Sequence, residues 1–563
     1  MWQGERGFGR ALFFMEIEAI RNRDTPSEAV DYRSAVVVAC VLCGLLTIVS
    51  LCVPVGIAPD PGWGWLEWRT LVNSGPVNTI VAPDPTDISK DRSEFMTWWS
   101  PGQHLIPGVF IALGLSIGSA LSVTAGVSLL SCLIGWIRVF KRFRVSSKAA
   151  TFAVVLLTIF RYSTLPFGIY NGGEILLQGV TPWLILAGCN VPAGTGFRSA
   201  FYAGLALLGG FFAKLTGVLV GGAALGAGVI VALTRLRRVT NGMAAGAAGA
   251  LASAGLLNAV WFSRGITPAS GTGWSFGTTR FVFAFAAPWG AGVSWMDMLA
   301  WLFLNPQRPI FRDSAVIVWL LIPAAIFFTA VLFLGARQVD GRLELRELVR
   351  FTLCFYAICA ATMAVLYSHG GSISLDERHL RSAGTLIFVC AIAVADRLPR
   401  RSMLRLAVAA FCTLMSLYGL SSFVNRVRMA RPHEVDSYSR TRQVIVDRDA
   451  LEYARAAFAR EKRDALFVLP SPDVAAALPP QARILSTFMD FASETTVASA
   501  RRTAGRVPGH VYVLMQTQEA QSALAISLLN GFADYPPNTW ERHQFGSTTV
   551  WVQPATVPGY QRP

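Results

Sequence analysis

The chain has 563 residues, of which 53% are hydrophobic and only 15% are charged. This composition excludes an ordinary soluble protein and predicts a polytopic membrane protein. The formal net charge of +15 would favour a nucleic-acid partner in a soluble domain, but basic residues also collect at the cytoplasmic ends of membrane helices. We therefore predict the lipid bilayer as a partner and no nucleic acid.

Residues 1 to 33 are polar, mix charges of both signs and lack the apolar core and cleavage site of a signal peptide. We expect them to form a cytoplasmic N-terminal segment, followed by an apolar segment that stays in the membrane as an anchor. All nine cysteines lie in apolar segments, which predicts packing and no disulfide framework. Cys40 and Cys43 have the spacing of half a zinc site, but the sequence supplies no second ligand pair.

Eleven segments have, or nearly have, the roughly 20 apolar residues that a helix needs to cross a bilayer. They predict a polytopic α-helical membrane protein with a transmembrane domain over residues 34–424. The predicted spans are 34–57, 119–140, 149–167, 173–189, 200–214, 215–234, 240–262, 313–336, 351–368, 383–397 and 404–424.

The loops between these segments collect Arg and Lys alternately, which sets the orientation of the chain in the membrane. The alternation holds only if two further apolar stretches, 103–117 and 281–303, do not cross, and Pro or Gly interrupts both. We interpret them as interfacial or re-entrant segments on the outer face. The basic loops lie within residues 138–148, 235–238, 337–350 and 397–405.

The first outer loop, 58–108, follows the first membrane helix and is dense in acids and tryptophans. Such a composition is unusual for a simple connector. The other segments that we expect on the outer face are the loop around Glu174, residues 263–312, residues 369–382 and the C-terminal tail.

Beyond Val424 the composition becomes that of a soluble domain. Short strand-like runs alternate with helical patterns at 494–502 and 518–529. We predict a small α/β domain over 425–563, an accessory or acceptor-binding module without a glycine-rich phosphate loop or a cluster of metal ligands. The predicted strands are 465–469, 483–488, 510–515 and 548–552.

Several motifs stand in a definite order over roughly residues 34–425. They are Asp60, which follows the first membrane helix, and the segments 98–107, 114–116, 170–174, 211–217 and 376–380. In order and spacing they resemble the GT-C superfamily of polyprenyl-phosphate-sugar-dependent glycosyltransferases. That superfamily usually has an acidic pair after the first membrane helix, whereas this chain has one acid followed by Pro61, which leaves Glu67 as the alternative.

The resemblance implies sugar transfer from a lipid phosphate to an acceptor, which needs a base for the acceptor proton and cations for the departing phosphate. Asp60 is the predicted base, because partial desolvation at a helix end raises a carboxylate pKa. Glu174 is a second catalytic candidate that would position the acceptor or a metal ion. Lys214, Arg378 and His379 are the predicted donor-phosphate ligands. The alternatives are ordinary helix-end acids, a snorkelling lysine and plain loop charge.

Trp98, Trp99, Gln103 and His104 surround the Pro-Gly turn of the first outer loop and are the predicted substrate contacts. The two tryptophans would stack on a sugar ring or a prenyl chain, whereas a lone histidine such as His104 is more often structural. Interface anchoring is the favoured interpretation of the three other tryptophans in this loop, Trp63, Trp65 and Trp68.

Asp84, Asp87 and Asp91 offer oxygen ligands at short spacing in the same loop. Such a run is more often solvated than metal-bound, so no cofactor is predicted with certainty and a divalent metal ion stays an alternative.

We predict a membrane glycosyltransferase of the bacterial plasma membrane, with a cytoplasmic N-terminus and an extracytoplasmic C-terminal domain. Its donor would be a polyprenyl-phosphate-linked sugar and its acceptor a glycan, a lipid or a protein. The alternatives are a polysaccharide polymerase or ligase that uses lipid-linked glycans, a transporter or flippase, and a non-enzymatic scaffold that displays the C-terminal domain. A transporter would favour related, interrupted halves, and the sequence has no internal symmetry.

Overall fold

A computed structural model describes residues 31–84, 87–264, 274, 277–304, 315–338, 343–369, 373–430, 432–486, 509–518, 529, 532 and 539–553. Each of the eleven predicted membrane segments contains a helix. Among the described residues, nine helices are long and apolar enough to cross a membrane, and a pair bent by 59° at Phe160 makes a tenth. The eleventh, of 17 residues, lies at the short end of the lengths that span a bilayer. The predicted helical, multi-pass architecture is confirmed.

The long helices follow one another through short connections that place neighbours side by side. In chain order they are α1 (Arg33–Cys52), α4 (Ile117–Arg142), α5 (Ser147–Ile159) with its continuation α6 (Arg161–Thr164), α7 (Gly173–Asn190), α8 (Gly196–Ala213), α9 (Gly217–Leu236), α10 (Asn241–Leu257), α14 (Leu321–Gln338) preceded by α13 (Ala315–Trp319), α15 (Leu343–Ser368), α16 (Arg381–Arg397) and α17 (Met403–Met429).

The two stretches interpreted as interfacial form shorter helices. The first gives α3 (Gly102–Ala112), and the second gives α11 (Thr278–Ala291) and α12 (Trp295–Phe303). Prolines lie inside α3 and α11, and each of the three helices is shorter than a bilayer requires. Their lengths agree with the interpretation that these segments do not cross.

The predicted basic loops gather at one end of the helix bundle. Arg142 and Arg235 both approach Glu347, at 3.7 and 3.8 Å. Arg397 donates a hydrogen bond to the carbonyl of Arg144. The four basic segments therefore share one end, as the alternation of charge in the sequence requires.

The first outer loop is a folded unit. Two-residue strands β1 (Gly56–Ile57) and β4 (Ile169–Tyr170) pair in parallel and tie the loop's beginning to the start of α7. Helix α2 (Pro59–Val72) follows, with Pro59 at its first position, where proline is favoured. Strands β2 (Thr79–Asp84) and β3 (Asp87–Phe95) then form an antiparallel hairpin.

The C-terminal region forms a five-stranded mixed sheet in the order β6-β5-β7-β9-β8. The predicted strands are present, and β8 was not predicted. The helical pattern at 494–502 lies outside the described residues, and of the pattern at 518–529 only the two end residues are described. Helix α18 (Arg448–Glu461) precedes the sheet. The strands are β5 (Ala465–Leu469), β6 (Arg483–Ser486), β7 (His510–Gln516), β8 (Glu541–Phe545) and β9 (Thr548–Gln553).

The C-terminal domain packs directly on α2. The buried guanidinium of Arg69 donates hydrogen bonds to the carbonyls of Ala475, Leu478 and Ala482, at 2.8 to 2.9 Å. A Cβ on Gly62 would lie 2.4 Å from the backbone nitrogen of Asp473. Only glycine permits this approach, so the first outer loop and the C-terminal domain form one continuous outer layer.

Candidate active site

Four charged side chains from separate elements converge at the outer-loop end of the bundle. Arg378 Nη1 donates to Asp60 Oδ2 at 2.6 Å and lies 3.7 Å from Glu174 Oε1. Lys214 Nζ donates to the same Glu174 oxygen at 2.6 Å. The side chains of Lys214 and Glu174 are 16% and 10% exposed, whereas those of Asp60 and Arg378 are each 32% exposed. Lys214 and Glu174 are therefore the buried part of the cluster, and Asp60 and Arg378 are the part that solvent reaches.

Local backbone structure places each charge where it is stable. Asp60 and Glu174 lie in the first turns of α2 and α7, where helix dipoles favour acids. Lys214 directly follows the C-terminus of α8, where a cation is favoured. Gly172, which precedes α7, has a φ of 59°, and a Cβ there would lie 2.9 Å from both Gln103 Oε1 and Pro61 Cβ. A glycine is thus required at this junction.

Asp376, which the sequence did not single out as a site residue, orients Arg378. Its carboxylate accepts the backbone N–H of Arg378 at 2.9 Å and lies 3.2 Å from Arg378 Nε. Burial lowers the pKa of Arg378, but Glu174, Asp60 and Asp376 more than compensate and raise it above its ordinary value. Arg378 therefore remains a fixed cation.

His379, a predicted phosphate ligand, lies beside the cluster but carries no charge at neutral pH. Burial, followed by the positive charges of Lys214 and Arg378, lowers the pKa of His379 to about 3. Both of its ring nitrogens are buried, and neither has a hydrogen-bond partner among the residues that the structure describes. His379 can offer a hydrogen bond to a ligand but not a counter-charge.

A cavity of about 20 Å³, roughly the space that one water molecule needs, adjoins the cluster. Its walls include a third cation, Arg381, whose Nε is buried and has no hydrogen-bond partner among the described residues. Ionisable side chains at such a depth among membrane helices mark a candidate functional site. The lining residues are Trp136, Glu174, Leu177, Gln178, Thr181, Lys214, Arg378, Arg381, Ser382 and Thr385.

Glu67, the alternative base, is separated from this cavity. It is fully buried, and its Oε2 lies 2.9 Å from Nδ1 of His104, which is 1% exposed. Burial raises the pKa of Glu67, while the nearby His104 opposes that shift. Glu67 and His104 thus form a closed pair between α2 and α3 and do not line the cavity.

The predicted substrate contacts divide between packing and the site. Gln103 is buried next to Gly172 at the start of α7, and its backbone carbonyl accepts a hydrogen bond from the Tyr170 hydroxyl at 2.9 Å. Its side-chain Nε2 has no hydrogen-bond partner among the described residues. Trp99 packs in the apolar cluster between the first outer loop and the C-terminal domain. Trp98 is half-buried. Of the other loop tryptophans, Trp63 joins the Trp99 cluster, Trp65 is buried in the membrane-domain core and Trp68 packs against that core.

The acidic run of the β2–β3 hairpin does not form a metal site among the described side chains. Asp91 forms an ion pair of 2.6 Å with Arg483 of the C-terminal domain. Asp84 pairs in register with Asp87, whose side chain lies outside the described part. Within the part that the structure describes, no three His, Cys, Asp or Glu side chains are grouped closely enough to hold a metal ion.

The chain is similar in fold to a solved glycosyltransferase. It aligns with ArnT from Cupriavidus metallidurans bound to undecaprenyl phosphate with a TM-score of 0.55, at 13% identity, over 93% of this chain and 99% of that one. The apo state of the same protein gives a TM-score of 0.44. No family model and no curated protein match the chain. ArnT is a GT-C glycosyltransferase, so the resemblance inferred from the sequence is confirmed at the level of the fold.

Proposed function

We propose that the chain is a membrane glycosyltransferase that transfers a sugar from a polyprenyl-phosphate donor to an acceptor on the outer face of the membrane. The observation that carries the proposal is the convergence of Asp60, Glu174, Lys214 and Arg378 at one end of a GT-C-like helix bundle. These groups come from four separate parts of the chain. The basic loops lie together at another end, which by the positive-inside rule faces the cytoplasm.

The donor phosphate would bind between Lys214 and Arg378. In the structure both cations are neutralised by Glu174 and Asp60. A phosphate would compete for Arg378, and Arg381 in the cavity wall adds positive charge. Charge-assisted hydrogen bonds of this kind are about twice as strong as neutral ones. The neighbour ArnT was solved with undecaprenyl phosphate, which supports this class of donor.

Release of Asp60 from Arg378 would prepare it as the base. The acceptor oxygen or nitrogen attacks the anomeric carbon, and the bond from that carbon to the phosphate oxygen breaks. The acceptor proton passes to Asp60, and the electron pair of the broken bond stays on the phosphate, where Lys214 and Arg378 stabilise it. Glu174 holds Lys214 in position throughout.

The best test uses the full-length protein in lipid nanodiscs with a panel of undecaprenyl-phosphate sugars. We expect at least one donor to release or transfer its sugar, detected by mass spectrometry. Undecaprenyl phosphate itself should raise the unfolding temperature, because a ligand that binds only the folded state stabilises it. A chain with no turnover on any donor and no stabilisation would contradict the proposal.

The competing functions make different predictions in the same assay. A flippase would move the intact lipid across the bilayer without cleaving the sugar-phosphate bond. A polymerase or ligase that relies on arginines would keep most of its activity without the Asp60 carboxylate. A scaffold would neither bind the donor nor turn it over.

A further inference from the structure

A second charged cluster lies on the other side of the turn that carries Arg378. Arg161, at the start of α6, contacts Asp297 at 3.2 Å through Nε and donates to the Tyr418 hydroxyl at 2.7 Å through Nη1. Its guanidinium carbon lies 5.5 Å from the centre of the Tyr418 ring, in the range of a cation-π contact. The side chains of Arg161 and Asp297 are 27% and 30% exposed, so solvent reaches this cluster.

Arg426 extends the cluster along α17. Its Nε and Nη2 donate to the carbonyl and hydroxyl of Ser422, and Nη1 donates to the carbonyl of Leu165 at 3.4 Å. Among the residues that the structure describes, Arg426 has no carboxylate partner. Because Tyr418, Ser422 and Arg426 are spaced by four residues on one helix, they share a face. Arg161 is held against the same helix through Tyr418, and both Arg161 and its partner Asp297 lie close enough to Arg426 to interact with it electrostatically.

An exposed aromatic ring borders Tyr418. Trp301 is 59% exposed, and its ring centre lies 6.0 Å from that of Tyr418. The amphipathic face of a tryptophan suits contact with a sugar ring or with the membrane interface. Trp301 therefore joins the cluster through Tyr418, which accepts a hydrogen bond from Arg161.

Glu377 joins this second cluster to the candidate active site. It is buried next to Arg378 in the chain, and its carboxylate accepts the backbone N–H groups of Met296 and Asp297, at 3.0 and 3.4 Å. Burial, followed by the negative charge of Asp297, raises the pKa of Glu377 well above its ordinary value. Glu377 is thus held at the start of α12, where the helix dipole favours an acid.

We propose that Arg161, Arg426 and Trp301 form an acceptor subsite that holds the anionic group of an acidic saccharide while its hydroxyl reaches the Asp60 cluster. Arginines bind carboxylate or phosphate through paired hydrogen bonds, and the bias of Lys and Arg towards the cytoplasmic side makes outer arginines the less common case. Arg381 lies between the two sites, since it lines the donor cavity and its guanidinium carbon is 5.4 Å from the ring centre of Tyr162. The inference rests on the proposed glycosyltransferase function.

The test compares two amphiphiles of equal chain length, dodecyl glucuronide and neutral dodecyl glucoside. Binding is measured by calorimetry with the full-length protein in phosphatidylcholine nanodiscs. The glucuronide should bind at least ten times more tightly than the glucoside, because hydrogen bonds to charged groups are stronger than those to neutral groups. The double variant Arg161→Gln/Arg426→Gln should reduce glucuronide affinity about ten- to hundredfold, to the level of the glucoside.

Two further variants keep the outcome independent of folding. Arg428→Gln removes an exposed arginine from the same helix and should leave both affinities unchanged. Trp301→Ala, at a largely exposed position, keeps both arginines and should weaken the binding of both amphiphiles. Equal affinity of the wild type for the two amphiphiles, or an unchanged preference in the double variant, would overturn the subsite. So would loss of the preference when phosphatidylglycerol replaces phosphatidylcholine, because the arginines would then bind a lipid headgroup.

Binding of undecaprenyl phosphate separates this inference from the proposed function. The double variant should bind undecaprenyl phosphate as the wild type does, whereas Lys214→Gln should bind it about tenfold more weakly and keep its affinity for the glucuronide. If the wild type does not bind undecaprenyl phosphate, the proposed function fails whatever the glucuronide does. If it binds undecaprenyl phosphate but does not distinguish the two amphiphiles, only the subsite fails.

Discussion

Asp60 and Glu67 lie on the same helix and about two turns apart, so they start from nearly the same face of α2. Asp60 meets the guanidinium of Arg378 and remains one-third exposed. Glu67 is fully buried next to His104. Two carboxylates that look equivalent on a helical projection therefore differ in partner, solvation and access to a ligand. The neighbouring elements, and not the helix face, determine which acid a ligand could reach.

The substitution Asp60→Asn should break the more accessible member of this comparison. It keeps the shape of the side chain but removes the base, and we expect sugar transfer to fall about a thousandfold, within the range of general base catalysis. The measurement is the initial rate of transfer with the active donor. Glu94→Gln, which alters a half-buried acid of the same loop that pairs with Arg92, should retain full activity. Retention of most activity by Asp60→Asn would favour the arginine-dependent polymerase.

Changes to the buried pair of Glu67 and His104 should lower the stability of the fold. His104→Leu leaves Glu67 without its partner in a site that water does not reach, and removal of one member of a buried pair costs about 3 kcal/mol. We expect a lower unfolding temperature in detergent. The double variant Glu67→Leu/His104→Leu should recover most of the loss, because it removes the stranded acid as well. A double variant less stable than His104→Leu would show that the pair itself stabilises the fold.

Loss of Lys214 should affect ligand binding at the solvent-accessible cluster that contains Asp60. Lys214→Gln removes a cation at 2.6 Å from Glu174. It should weaken the binding of undecaprenyl phosphate about tenfold, since hydrogen bonds to charged groups contribute about 1.5 to 3 kcal/mol. Calorimetric titration in nanodiscs measures this effect. Lys148→Gln, at the basic end of the bundle, provides the control. Equal weakening by both variants would indicate a general effect of net charge on lipid binding.

Glu67 should make the stability of the fold depend on pH, and this is the smallest of the expected effects. Its pKa is raised in the folded state, so between its ordinary value near 4.5 and the raised value the folded chain binds more protons than the unfolded chain. Stability therefore falls as pH rises through that window, by at most about 1.4 kcal/mol per pH unit. Unfolding temperatures at a series of pH values should show this slope in the wild type and a weaker slope in Glu67→Gln. An unchanged slope in the variant would assign it to another group.

The membrane architecture could be predicted from the sequence because apolar length and charge alternation are local properties. A helix crosses the bilayer when enough consecutive residues are apolar, whatever its neighbours are. Each predicted span contains a helix, and the four strands predicted in the C-terminal domain are present. Strand β8 was not predicted because its sequence, Glu-Arg-His-Gln-Phe, is polar, and it pairs at the edge of the sheet.

The sequence by itself determined which segments form the long apolar helices, the grouping of basic loops and the residues from which a phosphate site could be built. Only the tertiary structure decided which of these residues meet. Asp60 and Arg378 are 318 positions apart, and Arg69 bonds carbonyls more than 400 positions away. Such pairs depend on how helices and domains pack, because the field at a carboxylate comes from groups within a few ångströms in space and not along the chain. Packing thus places Asp60 beside a cation near a cavity and Glu67 in a closed interior.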